Sequence, residues 1–340
     1  MTSSETLEAL FAASRIRAVR GALFDSDPGP MPPSFTFDQV EGMLLGLAIG
    51  DSLGLPTEGL TTRERRHRHG EIRDFGPGQI RPSDDTQLAA WTIEHLLAQH
   101  GRLDPDGLGK LFASRRIRGI GHTVKGFITA RKSGVAWPDC GPRSAGNGAL
   151  MRIAPVLLPH LRRPSPELWA DAALAAMITH NDSASITACV GFVKLLWELL
   201  RADGVPPRGW VTRCWLDAAR QVELDDTYKP RGGRFAGTRS TLTEAVERYT
   251  TWASDNDATT LTACDAWFSG AFLLETMPSV LWILERHLGD PEEAIVRAVN
   301  DTKDNDTVAA IVGAAVGALH GRAGLPDRWV CALPGATTCD

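Results

Sequence analysis

The chain has 340 residues, of which 43% are hydrophobic and 23% charged, and its formal net charge is −5. This apolar content is enough for a large core, so folding requires neither a disulfide framework nor a structural metal. The slight acidic balance excludes nucleic-acid binding driven by bulk charge.

The six cysteines are scattered along the chain without a CxxC pair. Such a set is typical of reduced thiols and not of a disulfide framework. The sequence offers no apolar stretch of membrane-spanning length and no signal-peptide core near its N-terminus. We therefore expect a cytoplasmic protein that does not associate with a membrane.

The N-terminal region differs in composition from the rest of the chain. Residues 5–23 have the spacing of a short amphipathic helix, and the proline-rich residues 25–34 predict an extended linker. We expect residues 1–34 to form an N-terminal arm, residues 35–322 to form one domain and residues 323–340 to form a C-terminal tail.

Helical periodicity runs through almost all of the predicted domain, and no alternating run predicts a strand. Ser83 is placed to cap an apolar helix, and Pro166 and Pro291 stand at first-turn positions. We expect about ten helices in one compact domain, and therefore an all-α fold. The clearest predicted helices cover residues 83–99, 167–179, 183–200, 294–299 and 307–320.

A first pair of carboxylates lies at a helix start, in the sequence Ser83-Asp84-Asp85-Thr86. Adjacent aspartates beside a hydroxyl offer only oxygen ligands, which suits hard cations such as Mg²⁺, Mn²⁺ or Ca²⁺ and not zinc. The alternative is a capped helix with acids in its first turn, where the helix dipole favours negative charge. The motif alone leaves both interpretations open.

A second acidic group, Asp304, Asp306 and Thr307, repeats the acid–acid–hydroxyl pattern between two predicted helices. It is not an EF-hand calcium loop, because alanine occupies the sixth and twelfth positions counted from Asp304. Solvent or a bound cation must offset the repulsion among these carboxylates. A solvated loop between helices is therefore the alternative to a metal site.

The two acidic groups predict one shared site if their helices are neighbours. One Mg²⁺ typically uses one or two carboxylates, so four carboxylates favour a pair of cations about 3.5–4 Å apart. Such a pair holds hydroxyl or phosphate oxygens and lowers the pKa of a bound water. A metal-dependent phosphohydrolase is an alternative, but no motif beyond the acids supports it.

Five segments in order resemble the ADP-ribosylglycohydrolase family, which includes the dinitrogenase-reductase activating glycohydrolases. The resemblance spans residues 35–321. Its segments are the glycine-rich run from Gly42 to Glu58, Ser83-Asp84-Asp85-Thr86, the loop from Gly146 to Pro155, Thr179-His180, and the acidic motif from Ala298 to Thr307. Each match is weak by itself, whereas five in order, including both acidic groups, make a specific pattern.

The resemblance implies an orthogonal all-α bundle with a role for each matching residue. It implies two Mg²⁺ ions, with Mn²⁺ as the alternative, at Ser83, Asp84, Asp85, Asp304, Asp306 and Thr307. Glu58 would lie on a mobile loop at the reacting ribose. The backbone N–H groups of Gly146, Asn147 and Gly148 would hold the diphosphate. His180 would line the nucleotide pocket, and its alternative is a core histidine that is positively charged at a helix C-terminus.

The implied reaction is hydrolysis at C1″ of the distal ribose of an ADP-ribosylated protein or another ADP-ribose-containing substrate, with an arginine linkage favoured. Its transition state gains oxocarbenium character, as in other glycoside cleavages. Asp85 and Asp306 are the candidates for the base that accepts the proton of the attacking water. Glu58 is the candidate for positioning the water or the leaving group.

Three features leave substrate choice open. Thr302-Lys303 stands where the family commonly has Gly-Gly, and the lysine can pair with the acids, contact the substrate or point to solvent. Residues 227–240 are rich in arginine and glycine, which fits either a lid or a surface loop. The basic residues 63–69 face either an anionic substrate or solvent.

A second hypothesis concerns a different class of function. The N-terminal arm is a natural docking element, so the chain can also be interpreted as an immunity-type protein. In that interpretation it binds and occludes an ADP-ribosylating toxin, with or without hydrolase activity.

Overall fold

The computed structural model describes residues 1–76 and 80–333. Within these ranges the chain is helical and contains no strand, which confirms the all-α prediction. The helices are α1 (Ser3–Ala12), α2 (Phe37–Gly54), α3 (Thr62–His69), α4 (Asp84–Ala98), α5 (Pro105–Ser114), α6 (His122–Lys132), α7 (Glu167–Met177), α8 (Ser183–Arg201), α9 (Trp210–Ala219), α10 (Leu242–Asp255), α11 (Thr260–Ala266), α12 (Leu273–His287), α13 (Pro291–Asp301), α14 (Asn305–His320) and α15 (Asp327–Val330). Short 3₁₀ helices cover Ala22–Asp25, Leu55–Thr57, Trp137–Asp139, Leu150–Arg152, Ala154–His160 and Arg322–Gly324.

Side-chain caps start the helices where the sequence predicts them. The Ser83 hydroxyl accepts from the Asp85 N–H at α4, and the Asp290 carboxylate accepts from the Glu293 N–H at α13. Pro166 is the residue before α7 and not its first residue. The fold has more helices than expected because short ones, such as α11 and α15, carry too few turns to show a period.

Helices α2 and α14 pack with their backbones in direct contact. A Cβ atom added to Gly46 would lie 2.1 Å from the carbonyl oxygen of Gly313, and one added to Gly50 would lie 2.0 Å from that of Ala309. Residues four apart share one helix face, so the glycines of α2 form a row without side chains. This contact brings the end of α2 against the start of α14, where Gly54 abuts Asp306.

Helix α8 lies at the centre of the bundle. It is 19 residues long and apolar enough to span a membrane by length and composition, contrary to the expectation that no such stretch exists. However, 89% of its apolar window is buried inside the fold. Burial against the other helices accounts for this apolar character, as in the core helix of a helical bundle.

The first 34 residues pack against the helical bundle, so they do not form a free arm. Helix α1 ends at Ala12, earlier than the predicted helix over residues 5–23, and Leu7 and Leu10 are buried. The proline-rich stretch is non-helical only from Ser26 on and turns at Gly29, whose φ is 78°. The indoles of Trp169 and Trp197 donate to the carbonyl oxygens of Ser26 and Pro28 at 2.8 and 2.9 Å. Buried indole N–H groups need such acceptors, and these bonds fix the segment in place.

The C-terminal segment is also packed in its described part. Trp329 and Val330 are buried, and the Trp329 indole donates to the Arg73 carbonyl oxygen at 3.0 Å. Residues 334–340 of the expected tail, and residues 77–79 of the turn before α4, lie outside the described residues. The expectation of reduced cysteines is wrong at Cys331, which is disulfide-bonded; the free thiols are those of Cys140, Cys189, Cys214 and Cys264.

Candidate active site

Carboxylates from α2, α4 and α14 converge in the interior of the protein. Asp51, Asp85 and Asp306 each offer an oxygen atom, and these atoms lie within 4.8 Å of one another. Glu58, Asp304 and Asp306 form a second group that meets the same limit. Asp306 belongs to both groups, so the two acidic motifs of the sequence, together with Glu58, form one continuous cluster.

Asp51 is the member of this cluster that sequence reasoning missed. Its carboxylate is fully buried and accepts from the Ser83 N–H at 2.9 Å, the Thr86 N–H at 3.2 Å and the Thr86 hydroxyl at 2.5 Å. It therefore anchors the first turn of α4, where the other two aspartates lie. The available signal was a single acid within an apolar, glycine-rich helix, because a buried carboxylate must be paired or hold a cation.

Two oxygen atoms of the cluster have no hydrogen-bond partner. Oδ1 of Asp85 and Oδ1 of Asp306 are buried and unsatisfied in the described part of the chain. The other oxygen of Asp85 accepts from the Ser83 hydroxyl at 2.9 Å, which orients the carboxylate. Buried polar atoms rarely remain unpaired, and an all-oxygen environment suits a hard cation. The residues present therefore fit a bound metal ion.

Burial and mutual repulsion raise the pKa values of these carboxyl groups. Burial is the main cause for Asp84, whose pKa rises to about 7, and for Asp304, whose pKa rises to about 6. The pKa values of Asp85 and Asp306 lie well above the ordinary value because each is buried beside other acids. Glu58, on the exposed rim, has its pKa raised by partial burial and by Asp51. Without a cation, the cluster holds protons that a cation would displace.

The loop that carries Glu58 is held in place by a buried arginine. Arg65 of α3 donates from Nε to the Thr57 hydroxyl at 3.0 Å and from Nη1 to the Thr302 carbonyl oxygen at 2.8 Å. Asn305 donates to the same Thr57 hydroxyl at 3.0 Å. Arg65 comes from the basic run at residues 63–69 and does not face solvent; it links the Glu58 loop to the second acidic motif.

The glycine loop, residues 146–148, is hydrogen-bonded to the segment before α12. Gly146 forms an isolated bridge with Phe272, and the Asn147 N–H donates to the Ala271 carbonyl oxygen at 3.1 Å. The Gly146 N–H donates to the Ser144 hydroxyl at 3.3 Å. Two of the three N–H groups expected to receive a diphosphate thus already have acceptors within the protein. Gly148 is the remaining candidate donor of that set.

The side chain of Asn147 faces the acids. Its Nδ2 donates to Oδ2 of Asp304 at 2.5 Å and to the Thr276 hydroxyl at 3.1 Å. This bond orients the Asp304 carboxylate and lowers its pKa relative to burial alone. The geometry therefore makes Asn147 a positioning residue for the second acidic group.

His180 is a neutral ring whose Nε2 atom faces the glycine loop. Arg152 donates to the Thr179 hydroxyl at 2.8 Å, and that oxygen lies 2.9 Å from Nδ1 of His180. Arginine only donates, so the hydroxyl keeps its own proton, and it can donate that proton to Nδ1 when the ring carries its hydrogen on Nε2. Burial and Arg152 lower the pKa of His180 to about 3, which excludes the positively charged core histidine. A Cβ added to Gly148 would lie 3.3 Å from Nε2.

These features surround one cleft with a volume of about 340 Å³. It contains every expected site residue except Ser83, which lies behind Asp85. The lining comprises Glu58, Asp84, Asp85, Gly119, Gly121, His122, Thr123, Val124, Ser144, Ala145, Gly146, Asn147, Gly148, Met151, His180, Arg231, Ala271, Phe272, Asp304, Asp306 and Thr307. The lining therefore brings the acids together with the glycine loop and His180 in one cleft.

The family model for ADP-ribosylglycohydrolases matches residues 32–340. The chain belongs to the ADP-ribosylglycohydrolase family. The ADP-ribosyl-[dinitrogen reductase] glycohydrolase of Rhodospirillum rubrum is 27% identical over 87% of this chain and 90% of its own length. The ADP-ribosylarginine hydrolase Tri1 of Pseudomonas putida is 26% identical over 88% of this chain and 75% of its own length.

A solved structure described as an ADP-ribosylglycohydrolase-related protein complex aligns with a TM-score of 0.63 at 29% identity, covering 87% of this chain and 92% of its own. An uncharacterised protein of Archaeoglobus fulgidus is 29% identical over 86% of this chain and 90% of its own length. The ADP-ribosylglycohydrolase fold and the hydrolase class follow from these matches, in agreement with the cleft described above.

Of the residues expected to bear on substrate choice in this ADP-ribosylglycohydrolase, Arg231 reaches the cleft. Arg231, from the arginine- and glycine-rich loop, pairs with the buried Glu275 at 2.7 Å and lies over the Phe272 ring at 5.4 Å. Lys303, by contrast, is not part of the lining. Its ammonium lies 3.7 Å from the centre of the Phe268 ring, so it neither pairs with the acids nor points freely to solvent.

Proposed function

We propose that this ADP-ribosylglycohydrolase uses Mg²⁺ to hydrolyse the bond at C1″ of the distal ribose in ADP-ribosylated proteins, with arginine as the favoured linkage. The observation that supports it best is the cluster of buried carboxylates around Asp306, with unpaired oxygens on Asp85 and Asp306. Such a cluster is costly to bury unless cations compensate its charge.

Two ions fit this cluster better than one. Its two oxygen groups share Asp306, so Asp306 would contribute to holding either ion. The proposed ligands are Ser83, Asp84, Asp85, Asp304, Asp306 and Thr307, joined by Asp51 and Glu58. Bound Mg²⁺ ions supply a Lewis acid that orients ribose hydroxyls and lowers the pKa of a water. Mn²⁺ takes similar oxygen ligands and is the alternative ion.

The chain's own groups account for proton movement and orientation. Asp85 and Asp306 are the proposed proton acceptors for the attacking water, because each retains a carboxylate oxygen without a protein partner. Glu58 lies at the exposed rim, where it can position the water or the departing group. Arg65 and Asn305 hold its loop through Thr57 and so keep Glu58 beside the acids.

The part of the cleft lined by the glycine loop, His180 and Phe272 suits the ADP part of the substrate. The Nε2–H of the neutral His180 and the N–H of Gly148 are donors available to phosphate or hydroxyl oxygens. Phe272 offers an aromatic face, and Arg231 beside it carries positive charge. These donors match a diphosphate better than the acids do. The substrate would therefore bind with its diphosphate beside these donors and its distal ribose at the acids.

The arginine linkage is supported by two observations. The relatives named ADP-ribosylarginine hydrolase and ADP-ribosyl-[dinitrogen reductase] glycohydrolase are 26% and 27% identical, whereas an ADP-ribosylhydrolase ARH3 of Xenopus tropicalis is 21% identical. The rim carboxylate of Glu58 also complements a guanidinium leaving group. The toxin-binding hypothesis gains no support from the N-terminal segment, which packs against the bundle in the described part of the chain.

The test is release of ADP-ribose from an ADP-ribosyl-arginine protein and from an ADP-ribosyl-serine peptide, each with Mg²⁺ and with EDTA. We expect Mg²⁺-dependent release from the arginine substrate. Asp304→Asn should abolish it, whereas Asp301→Asn is the matched control, since Asp301 is a buried acid near the same loop but bonds to Thr260 and Arg297. No release from either substrate by folded protein would overturn the proposal, and release from the serine peptide alone would overturn the linkage.

A further inference from the structure

A short strap of the N-terminal region, residues 15–19, lies against three loops that border the cleft. It precedes the part of the chain that the family model matches, which begins at residue 32. Ile16 and Ala18 are buried against the core, so the strap has a fixed position. Its polar contacts beyond the N-terminal region are made with these three segments.

The first loop carries His180. Nδ2 of the adjacent Asn181 donates to the Arg15 carbonyl oxygen at 2.8 Å, and its Oδ1 accepts from the Arg17 N–H at 3.1 Å. A single side-chain amide thus pairs with the strap backbone through both its donor and its acceptor. These two hydrogen bonds fix Asn181, and they therefore restrict the backbone on which the neighbouring His180 ring is carried.

The second loop leads from α9 to Arg231. The Val19 N–H donates to the Val222 carbonyl oxygen at 2.8 Å. The Arg17 guanidinium donates to both oxygens of Asp226, at 2.8 and 2.7 Å. Both contacts lie shortly before Tyr228 in the chain, so the strap fixes the segment that leads to Tyr228.

Tyr228 connects the second loop to the wall of the cleft. Its hydroxyl donates to Asp182 at 2.8 Å and accepts from the Ala184 N–H at 3.1 Å. Its ring packs edge-on against Phe272, with 6.3 Å between centres, and Phe272 lines the cleft. A physical chain of contacts therefore runs from Arg17 to the aromatic side of the cleft.

The third loop precedes the glycine loop. Arg15 pairs with Asp139 at 2.6 Å, two residues before Gly141. Gly141 is packed so closely on the His180 loop that a Cβ there would lie 2.2 Å from the Met177 carbonyl oxygen. The strap therefore holds the outer ends of the segments that bear the glycine loop and His180, and of the segment whose Tyr228 packs against Phe272.

We propose that Arg17 and Asn181 are positioning residues for the nucleotide end of the cleft, and that the N-terminal strap serves substrate binding in cis. This inference rests on the proposed function, because it takes ADP-ribose as the ligand. The nucleotide end is the part of the cleft lined by the glycine loop, His180 and Phe272, where the ADP part would bind. It predicts that weakening the strap lowers affinity for ADP-ribose, while the acidic cluster and its chemistry remain intact.

The test compares Arg17→Ala with Arg20→Ala in the full-length protein. Arg20 is the matched control because its partners, Glu8 and Asp25, lie within the same N-terminal region and do not border the cleft. We expect Arg17→Ala to raise KM and the Kd for ADP-ribose about three- to tenfold while kcat stays within about twofold. Arg20→Ala should leave Kd and KM unchanged. Equal effects of the two variants, or a fall in kcat alone, would overturn the inference.

Exchanging the charges of Arg17 and Asp226 distinguishes a positioning role from a contribution to stability alone. Arg17→Asp and Asp226→Arg each place like charges together and should weaken ADP-ribose binding, whereas the double variant should restore it. A lower melting temperature with unchanged Kd in the single variants would show a purely structural role and overturn the inference. If the unaltered protein itself neither binds ADP-ribose nor releases it from any substrate, the proposed function fails, which is a different result.

Discussion

The side-chain amide of Asn147 lies 2.5 Å from Oδ2 of Asp304 and ties the glycine loop to the second acidic group. The two residues are far apart in sequence, yet the bond sets the orientation of a carboxylate within the acidic cluster. Bonds of this kind around a metal ligand fix its direction and its basicity. Under the proposed function, this hydrogen bond would couple binding of the substrate at the glycine loop to binding of the metal at the acids.

Replacing Asn147 should weaken metal binding more than folding. Asn147→Ala removes the donor to Asp304 and should lower Mg²⁺ affinity about 10- to 100-fold, read from the Mg²⁺ dependence of turnover and from calorimetric titration. Thr276→Val is the control, since it removes the other partner of the same amide and spares the bond to Asp304. Equal Mg²⁺ affinities in the two variants would contradict the coupling.

The metal-free protein should lose stability as pH rises. The folded pKa values of Asp84, about 7, and Asp304, about 6, lie above the ordinary value of 3.8, so the folded state binds protons more tightly than the unfolded state. Their stabilising contribution is complete at low pH and is lost as pH rises through the folded pKa values. Mg²⁺ binds the deprotonated cluster, so it should replace this contribution near neutral pH.

Melting temperatures with EDTA and with Mg²⁺ test this prediction. The gain from Mg²⁺ should grow between about pH 5 and about pH 8, because protons compete with the ion at the lower end. The double variant Asp84→Asn, Asp304→Asn should show a much smaller gain. A gain that is constant over this range would be inconsistent with the assigned pKa shifts.

The contact between α2 and α14 should tolerate no side chain at Gly46. An added Cβ would lie 2.1 Å from the Gly313 carbonyl oxygen, so Gly46→Ala forces the helices apart and should cost about 2–3 kcal/mol or more in unfolding free energy. Gly126→Ala is the matched control in α6, since no atom lies within 4 Å of the added carbon. Alanine there should stabilise by about 0.5–1 kcal/mol. Urea unfolding measures both, and similar stabilities would refute the packing argument.

The hydroxyl of Thr179 should be needed to hold His180 in its neutral, Nε2-protonated form. Thr179→Val leaves Arg152 and Nδ1 of His180 without their shared partner, so it should raise KM and cost about 1–3 kcal/mol of stability. Thr179→Ser keeps the hydroxyl and should resemble the unaltered protein. The chemical shifts of the His180 ring nitrogens report the tautomer directly, and an unchanged pattern in Thr179→Val would contradict this role.

Much of the fold was readable because its signals are local. Caps such as Ser83 and Asp290 act within one helical turn, and the 3.6-residue period of the long helices appears in the sequence itself. The two acidic motifs were found because their ligand types are adjacent in the chain. For the same reason the short helices were undercounted, since a few residues carry no clear period.

Local signals could not show which distant residues meet. Asp51 resembles any acid at the end of a helix until the glycine contact of α2 with α14 brings it beside Asp85 and Asp306. Arg231 is one of several arginines in its loop, and only its pairing with Glu275 places it in the cleft.

The sequence by itself determined the helical class, the family resemblance and the chemistry of the acidic motifs, because residue type and short spacing carry that information. The tertiary structure alone decided that the N-terminal residues form a strap, that Asn147 serves Asp304, and that Lys303 lies over Phe268. These facts depend on contacts between residues far apart in the chain, and the packing of the whole bundle selects such contacts.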